Sequence, residues 1–200
     1  MEVCDAGHRG VSLIGWKGGM MTSGTPAPPP LPTVIGQAYG GGFYAGDISY
    51  GGSNYKIIVC PKQFEGASLQ YLTANVAAPG AASSTDGWSN TIALLSQGAR
   101  TSEAAVYCRN LSIAGFQDWY LPSRNELGLC YTNLRANASS PAGFKPGEAE
   151  AYQAIVYYMT SSESGAGGKW ARRMNDGAES SQSKNSRNPV RAIRRIPFGP

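Results

Sequence analysis

The sequence predicts an α+β domain in which helices pack on a twisted, mostly antiparallel sheet, with an extended N-terminal arm in front. Three observations predict it. Short strand-like runs at residues 43–49, 55–60 and 169–174, the last alternating with period two, are divided by Gly- and Asn-rich turns. Segments with helical spacing and their own caps interrupt those runs, the clearest one starting behind Ser123. The 200 residues include 26 Gly and 13 Pro and only 15% charged side chains, a turn-dense composition that argues against a helical bundle and a long uniform repeat.

Residues 1–23 are mixed and Gly-rich, with scattered apolar residues (Leu13, Ile14, Trp16, Met20, Met21) and little periodicity. They are predicted to form an anchoring arm that does not fold alone, with a loose tail as the alternative. Residues 24–35, opening Gly-Thr-Pro-Ala-Pro-Pro-Pro-Leu-Pro, form a spacer. Polyproline II is stiff and advances ~3.1 Å per residue, so it would hold the arm away from the body. The domain itself is expected over 36–200.

Within it, strands 43–49 and 55–60 are joined by Tyr50-Gly51-Gly52-Ser53-Asn54, whose glycines permit the positive φ of a hairpin turn. Residues 66–84 are low in charge and turn-rich, and are expected to be a long excursion. A short helix over 91–97 ends at Gly98; Ser102 caps a second, with Ala104, Ala105, Cys108 and Leu111 on one face and Gly115 at its end. Asp118-Trp119-Tyr120-Leu121 is a strand end stopped by Pro122. Ser123 and Glu126 then form a capping box for a helix from Arg124 to about Arg135. Its Leu127, Cys130, Tyr131 and Leu134 fall at i, i+3, i+4 and i+7 and face the core, with Arg124, Asn125, Thr132 and Asn133 toward water.

Residues 147–156 are predicted to add a short helix with Ala149, Tyr152 and Ile155 inward. Tyr157, Tyr158 and Met159 lead as a strand into Thr160-Ser161-Ser162-Glu163. Trp170, Arg172 and Met174 alternate with Lys169, Ala171 and Arg173, and Asn175-Asp176-Gly177 turns the chain back toward Gln182. Val190, Ala192 and Arg194 then alternate with Arg191, Ile193 and Arg195.

Catalytic chemistry finds little support. The single histidine, His8, lies in the arm, far in sequence from any Cys or Ser partner, and there is no metalloprotease, phosphate-loop or dinucleotide motif. Asp118 with Glu126 and Glu148 with Glu150 are explained as a cap and a solvated helix start. No cofactor and no metal is expected; Asn175-Asp176 is a turn, not half of a calcium cage. Cys4, Cys60, Cys108 and Cys130 have no CxxC spacing, so free thiols are favoured over three arithmetically allowed pairings, with Cys60–Cys130 the pair to test first.

Charge is uneven. Residues 169–195 hold eight of the 17 Lys and Arg against Asp176 and Glu179, a local +6 that leaves −2 on the rest of a chain of net +4. This predicts a basic, polar ribbon whose candidate ligand-binding residues are Trp170, Arg172, Arg173, Asn175, Lys184, Asn185 and Arg187. Trp stacks on apolar sugar faces while Arg and Asn supply directional hydrogen bonds, which suits a sugar or anionic glycan. The competing reading places Trp170 in the core and the arginines on a solvated face or a subunit contact. No nucleic acid is expected, because a pI near 8.9 is modest and no binding motif is present. No apolar run approaches the ~20 residues that span a bilayer, and no signal-peptide core is visible, so the expectation is cytoplasmic synthesis without membrane insertion.

Several signatures occur in order: Gly41-Gly42-Phe43-Tyr44-Ala45-Gly46, Ile57-Ile58-Val59-Cys60-Pro61-Lys62, Asp86-Gly87-Trp88-Ser89-Asn90-Thr91, Ala105-Val106-Tyr107-Cys108-Arg109-Asn110-Leu111, and Asp118-Trp119-Tyr120-Leu121-Pro122-Ser123-Arg124-Asn125-Glu126-Leu127. Met159-Thr160-Ser161-Ser162-Glu163 and Val190-Arg191-Ala192-Ile193-Arg194-Arg195 complete the set. Over residues 36–195 it resembles the C-terminal domain family named after the Legionella collagen-like adhesin, which is common in phage and prophage tail proteins and similar to C-type-lectin-like folds. The resemblance implies a virion protein of the tail fibre or tip, made in the host cytoplasm. Its arm would dock on other tail subunits, its lectin-like domain would bind a host-surface glycan or protein receptor, and a trimer would suit a fibre. A structural or decorating virion protein is the alternative. The Glu-Pro-Asn and Gln-Pro-Asp tripeptides of calcium-dependent lectins are absent, which implies calcium-free binding. Formylglycine-generating enzymes share the fold type, but nothing here supplies their site, and the chain is expected not to be an enzyme.

Overall fold

The computed structural model describes residues 29–199. The predicted arm, with His8 and Cys4, and residues 24–28 of the spacer lie outside the described residues. From Leu31 on, the spacer is already part of the body: Pro32 is buried and Ile35 packs on the core.

Strand β1 (Ala38–Tyr39), β2 (Gly42–Tyr50) and β3 (Ser53–Val59) form an antiparallel meander, with Tyr50 opposite Ser53 and Phe43 opposite Val59. Gly51 and Gly52 make the tight turn at φ 58° and 76°, the left-handed region that the predicted hairpin requires. Residues 66–70, expected to be irregular, are strand β4 (Gly66–Gln70).

Helix α1 (Gly87–Leu95) begins four residues earlier than predicted, because the Asp86 side chain accepts from the Ser89 amide and caps it there. Helix α2 (Glu103–Asn110) is capped by Ser102 as expected and buries Ala104, Ala105 and Cys108. It stops at Leu111, well before Gly115, because Ile113 and Phe116 bridge each other around a turn with Ala114 at φ 51°. Helix α3 (Arg124–Leu134) has both arms of the capping box, and Glu126, Leu127, Cys130 and Leu134 are buried. Tyr131 is half-buried.

The helix predicted at 147–156 is absent, and Ile155 is 80% exposed. Here carboxylates hold the loop instead. Glu148 accepts from the amides of Gly143 and Lys145, and Glu150 accepts from the amide of Lys62 and pairs with Arg191. Only Tyr152 of the three predicted inward residues is buried.

The remaining strands are β5 (Tyr157–Gly165), β6 (Gly168–Arg173), β7 (Glu179–Ser183), β8 (Arg187–Val190) and β9 (Ile193–Pro197). Among the described residues the strands divide into three antiparallel sheets rather than one: β1-β2-β3-β9, β4-β8 and β5-β6-β7. The described residues are therefore α+β with three α-helices. Alternation along β3 sends Ile58 into a core with Leu94, Cys108 and Trp119, and Ile57 and Val59 into a second core with Tyr120, Leu127 and Cys130. Each such fully buried aliphatic contributes ~1.5–3 kcal/mol. Cys60, Cys108 and Cys130 are free, and burial pushes the thiols of Cys60 and Cys130 up to about 12, the form of inert core residues.

Candidate functional site

The ribbon singled out by charge is the β6–β7 hairpin and the turn beyond it. Alternation along β6 buries Lys169 and Ala171 and turns Trp170 and Arg172 to the other face, which the first turns of α3 partly cover. There the Arg124 guanidinium lies 4.0 Å from the Trp170 ring centre and donates from Nε to both Glu179 oxygens at 3.0 Å. Arg172 holds the same carboxylate from the other side, stands over the Tyr131 ring and donates to the Gly177 carbonyl. Glu179 is thus clamped by two guanidiniums, which hold its carboxyl below its ordinary value.

The other predicted residues separate. Arg173 pairs with Asp176 at the hairpin tip, where Asn175 is exposed. Lys184 is not on the surface: it is fully buried, paired with Glu163 at 2.9 Å and donating to the Val76 carbonyl at 2.7 Å. Asn185 is exposed in the turn after β7, at the opposite end of the hairpin from Asn175. Arg187 sits in a different sheet, on β8, pairing with Glu103 and donating to the Ser68 carbonyl. Only Trp170 and Arg172 are brought together.

Nor is the local +6 a bare cationic surface. Seven of the eight cations in 169–195 make ion pairs, and five of the pairs use acids from outside that stretch: Glu163, Glu103, Glu150, Asp118 and Asp86. Lys169, the eighth, donates to the Ser183 and Ser186 carbonyls and the Ser186 hydroxyl, and burial pulls it down to about 8. A charge sum along the sequence counts cations but not the distant acids that meet them.

A second constellation escaped the sequence reading. Trp88 on α1, Asp118 and Tyr120 ahead of Pro122, and Arg195 on β9 line a cleft of about 200 Å³. The bridge between Tyr120 and Ile193 brings the Asp118 segment beside β9. Arg195 pairs with Asp86 at 3.0 Å and lies over the rings of Tyr50, Tyr55 and Tyr120 at 4.8–5.8 Å. Arg194 grips both oxygens of Asp118 at 2.7 and 2.9 Å, and Arg109 lies 4.4 Å from the Trp88 ring centre. Behind the cleft, Glu126 accepts from the Tyr120 hydroxyl at 2.7 Å and from the amides of Ser123 and Gly87 at 2.7 and 3.2 Å. A Cβ at Gly87 would collide with that carboxylate, so only glycine lets α1 start so close to α3. Burial pushes the Glu126 carboxyl up to about 7 against the lowering effect of its Ser123 and Tyr120 donors. The Asp86-Gly87-Trp88 and Asp118-Trp119-Tyr120 runs carried this signal in the sequence; their meeting with Arg195 depends on β9 pairing across β3.

Residues 70–194, well over half of the chain, match the Lcl C-terminal domain. The chain belongs to the Lcl C-terminal domain family. The Lcl-type region holds all three helices and β5 to β8, and with them Trp88, Asp118, Tyr120 and Trp170. The β2–β3 hairpin precedes it and supplies the sheet on which β9 closes. No curated protein matches the sequence. Among the described residues no three His, Cys, Asp or Glu side chains gather as a metal site, and no helix is long and apolar enough to cross a membrane.

Proposed function

We propose that this Lcl-type chain is a tail-associated virion protein of a phage or prophage, made in the host cytoplasm, whose C-type-lectin-like domain adheres to a host-surface glycan or protein receptor without catalysing a reaction. The observation that carries the reading is the Trp170 platform. Its half-exposed indole is held under Arg124, which is itself fixed on Glu179 opposite Arg172. An aromatic surface with guanidinium donors that are already ordered loses little conformational entropy on binding, which is what a recognition surface needs. Family membership supports the tail and adhesion context, and the irregular segments between elements and the curled antiparallel sheets agree with a lectin-like scaffold. In this reading the first 23 residues dock on other tail subunits, a trimer is the natural assembly on a fibre, and no cofactor, metal or nucleic acid takes part.

Binding of the full chain to host cells or their isolated envelope glycans tests it. Trp170→Ala and Arg124→Ala are expected to weaken binding by about tenfold, the equivalent of one good aromatic contact, with the thermal midpoint little changed. Binding equal to that of the parent chain in both variants would overturn the platform. The internal pairing of the arginines favours one second reading, a decorating subunit whose near-neutral face is covered by neighbours. A map of the assembled particle with residues 160–187 sealed against another subunit would establish that reading instead.

A further inference from the structure

We infer that the cleft of Trp88, Asp118, Tyr120 and Arg195 is a separate binding site for a single neutral pyranose ring. The inference stands on this cleft alone and not on the Trp170 surface or on the tail context. Its volume, about 200 Å³, has room for one six-membered sugar ring. Trp88, half-buried on α1, has Arg109 over one face of its ring and packs edge-to-face with Tyr120 at 5.8 Å, so its remaining ring surface is an aromatic wall of fixed orientation for the C–H face of a sugar.

The polar groups are complementary to vicinal hydroxyls. Asp118 is 44% exposed and already receives one hydrogen bond on each oxygen from Arg194, so its carboxylate plane is set and each oxygen keeps a lone pair for a sugar hydroxyl. Arg195 donates to Asp86 and to no other acceptor among the described residues, which leaves N–H groups for the oxygens of the same ring. A hydroxyl both donates and accepts, so adjacent hydroxyls can bridge Asp118 and Arg195.

The exposed carboxylate of Asp118 favours a neutral ligand. The lining carries one carboxylate and one guanidinium; Arg194 is matched with Asp118 and Arg195 with Asp86, while Arg109, over the Trp88 ring, is held on the Gln117 and Trp119 carbonyls and faces no acid among the described residues. An acidic sugar would bring its carboxylate to the exposed Asp118, and a free phosphate would meet the same repulsion. A neutral polyol meets no such cost.

The full-length chain titrated with the methyl pyranosides of glucose, galactose, mannose and N-acetylglucosamine, and with methyl glucuronide, tests the site by the Trp88 indole N–H resonance. At least one neutral glycoside is expected to shift that resonance saturably in the millimolar range, and glucuronide to bind more weakly than glucoside. Asp118→Asn, which keeps the shape, is expected to weaken binding about tenfold, a loss of about 1.4 kcal/mol. Trp88→Leu, followed by the remaining resonances, is a second route should the Asp118 variant fail to fold, with the same expected loss. Trp170→Ala is expected to leave sugar binding intact even where cell adhesion is lost, which separates this site from the adhesion platform. No shift with any neutral glycoside, a tighter glucuronide, or unchanged affinity in folded Asp118→Asn or Trp88→Leu would overturn the assignment.

Discussion

Arg173 of the β6–β7 hairpin and Arg191 of the chain beyond it are set in opposite ways. At the hairpin tip Arg173 meets Asp176 three residues away with both side chains well exposed, a local pair in water. Arg191, by contrast, is fully buried: it donates to the Cys60 and Glu150 carbonyls, pairs with the Glu150 carboxylate, and lies over the rings of Phe144 and Tyr152. The first arrangement leaves a guanidinium free to meet a partner. The second makes a guanidinium a structural bolt, and through Glu150 and Tyr152 it holds the stretch 147–156, for which the sequence predicts a helix. A cation is open to recognition only where its own chain leaves it wet.

The largest effect should come from breaking the buried side of that comparison. Arg191→Ala leaves Glu150 without its cation and the Cys60 and Glu150 carbonyls without that donor, and removing one partner of a buried pair costs ~3–5 kcal/mol; urea denaturation measures it, and a loss below 1 kcal/mol would remove the bolt. Glu126→Ala comes next. It abolishes the reciprocal cap and leaves the Gly87 and Ser123 amides unpaired in the core, each unsatisfied group costing ~1–3 kcal/mol.

The same carboxyl gives a pH test. Its value is raised from 4.5 to about 7 by burial, so between those limits the folded chain holds a proton that the unfolded chain has released. Stability should be greatest below that window and fall by up to about 3 kcal/mol as pH rises through it. Glu126→Gln is expected to flatten this slope; an unchanged slope would assign it to another group. The smallest effect belongs to the exposed pair: Arg173→Ala should leave the thermal midpoint within experimental error, and a clear drop would show that the hairpin tip is more than a solvated turn.

What was legible in the sequence had its cause within a few residues. Gly51-Gly52 could only turn a hairpin, Ser123 and Glu126 sit at the spacing of a capping box, and Leu127, Cys130 and Leu134 recur once per turn or two of one helix. The caps show the limit of that reading: Asp86 starts α1 four residues ahead of the apolar run, since an N-cap acts before the pattern begins. Likewise 147–156 had helical spacing, but its backbone amides and acids found better partners in Lys62 and Arg191.

Period two puts Trp170 and Arg172 on one face of a strand, whereas nearness in sequence does not bring Lys184, buried on Glu163, or Arg187, on β8, to that surface. The sequence by itself determined the hairpins, the caps, the helix faces and the family, because these depend on groups within one or two turns of each other. Tertiary structure alone decided which acid meets each arginine, that β9 lies on β3, and that Trp88, Asp118 and Arg195 share a cleft. Those partners are 76 to 109 residues apart for Arg194 and Arg195, and only the closing of the chain brings such charges within hydrogen-bonding distance.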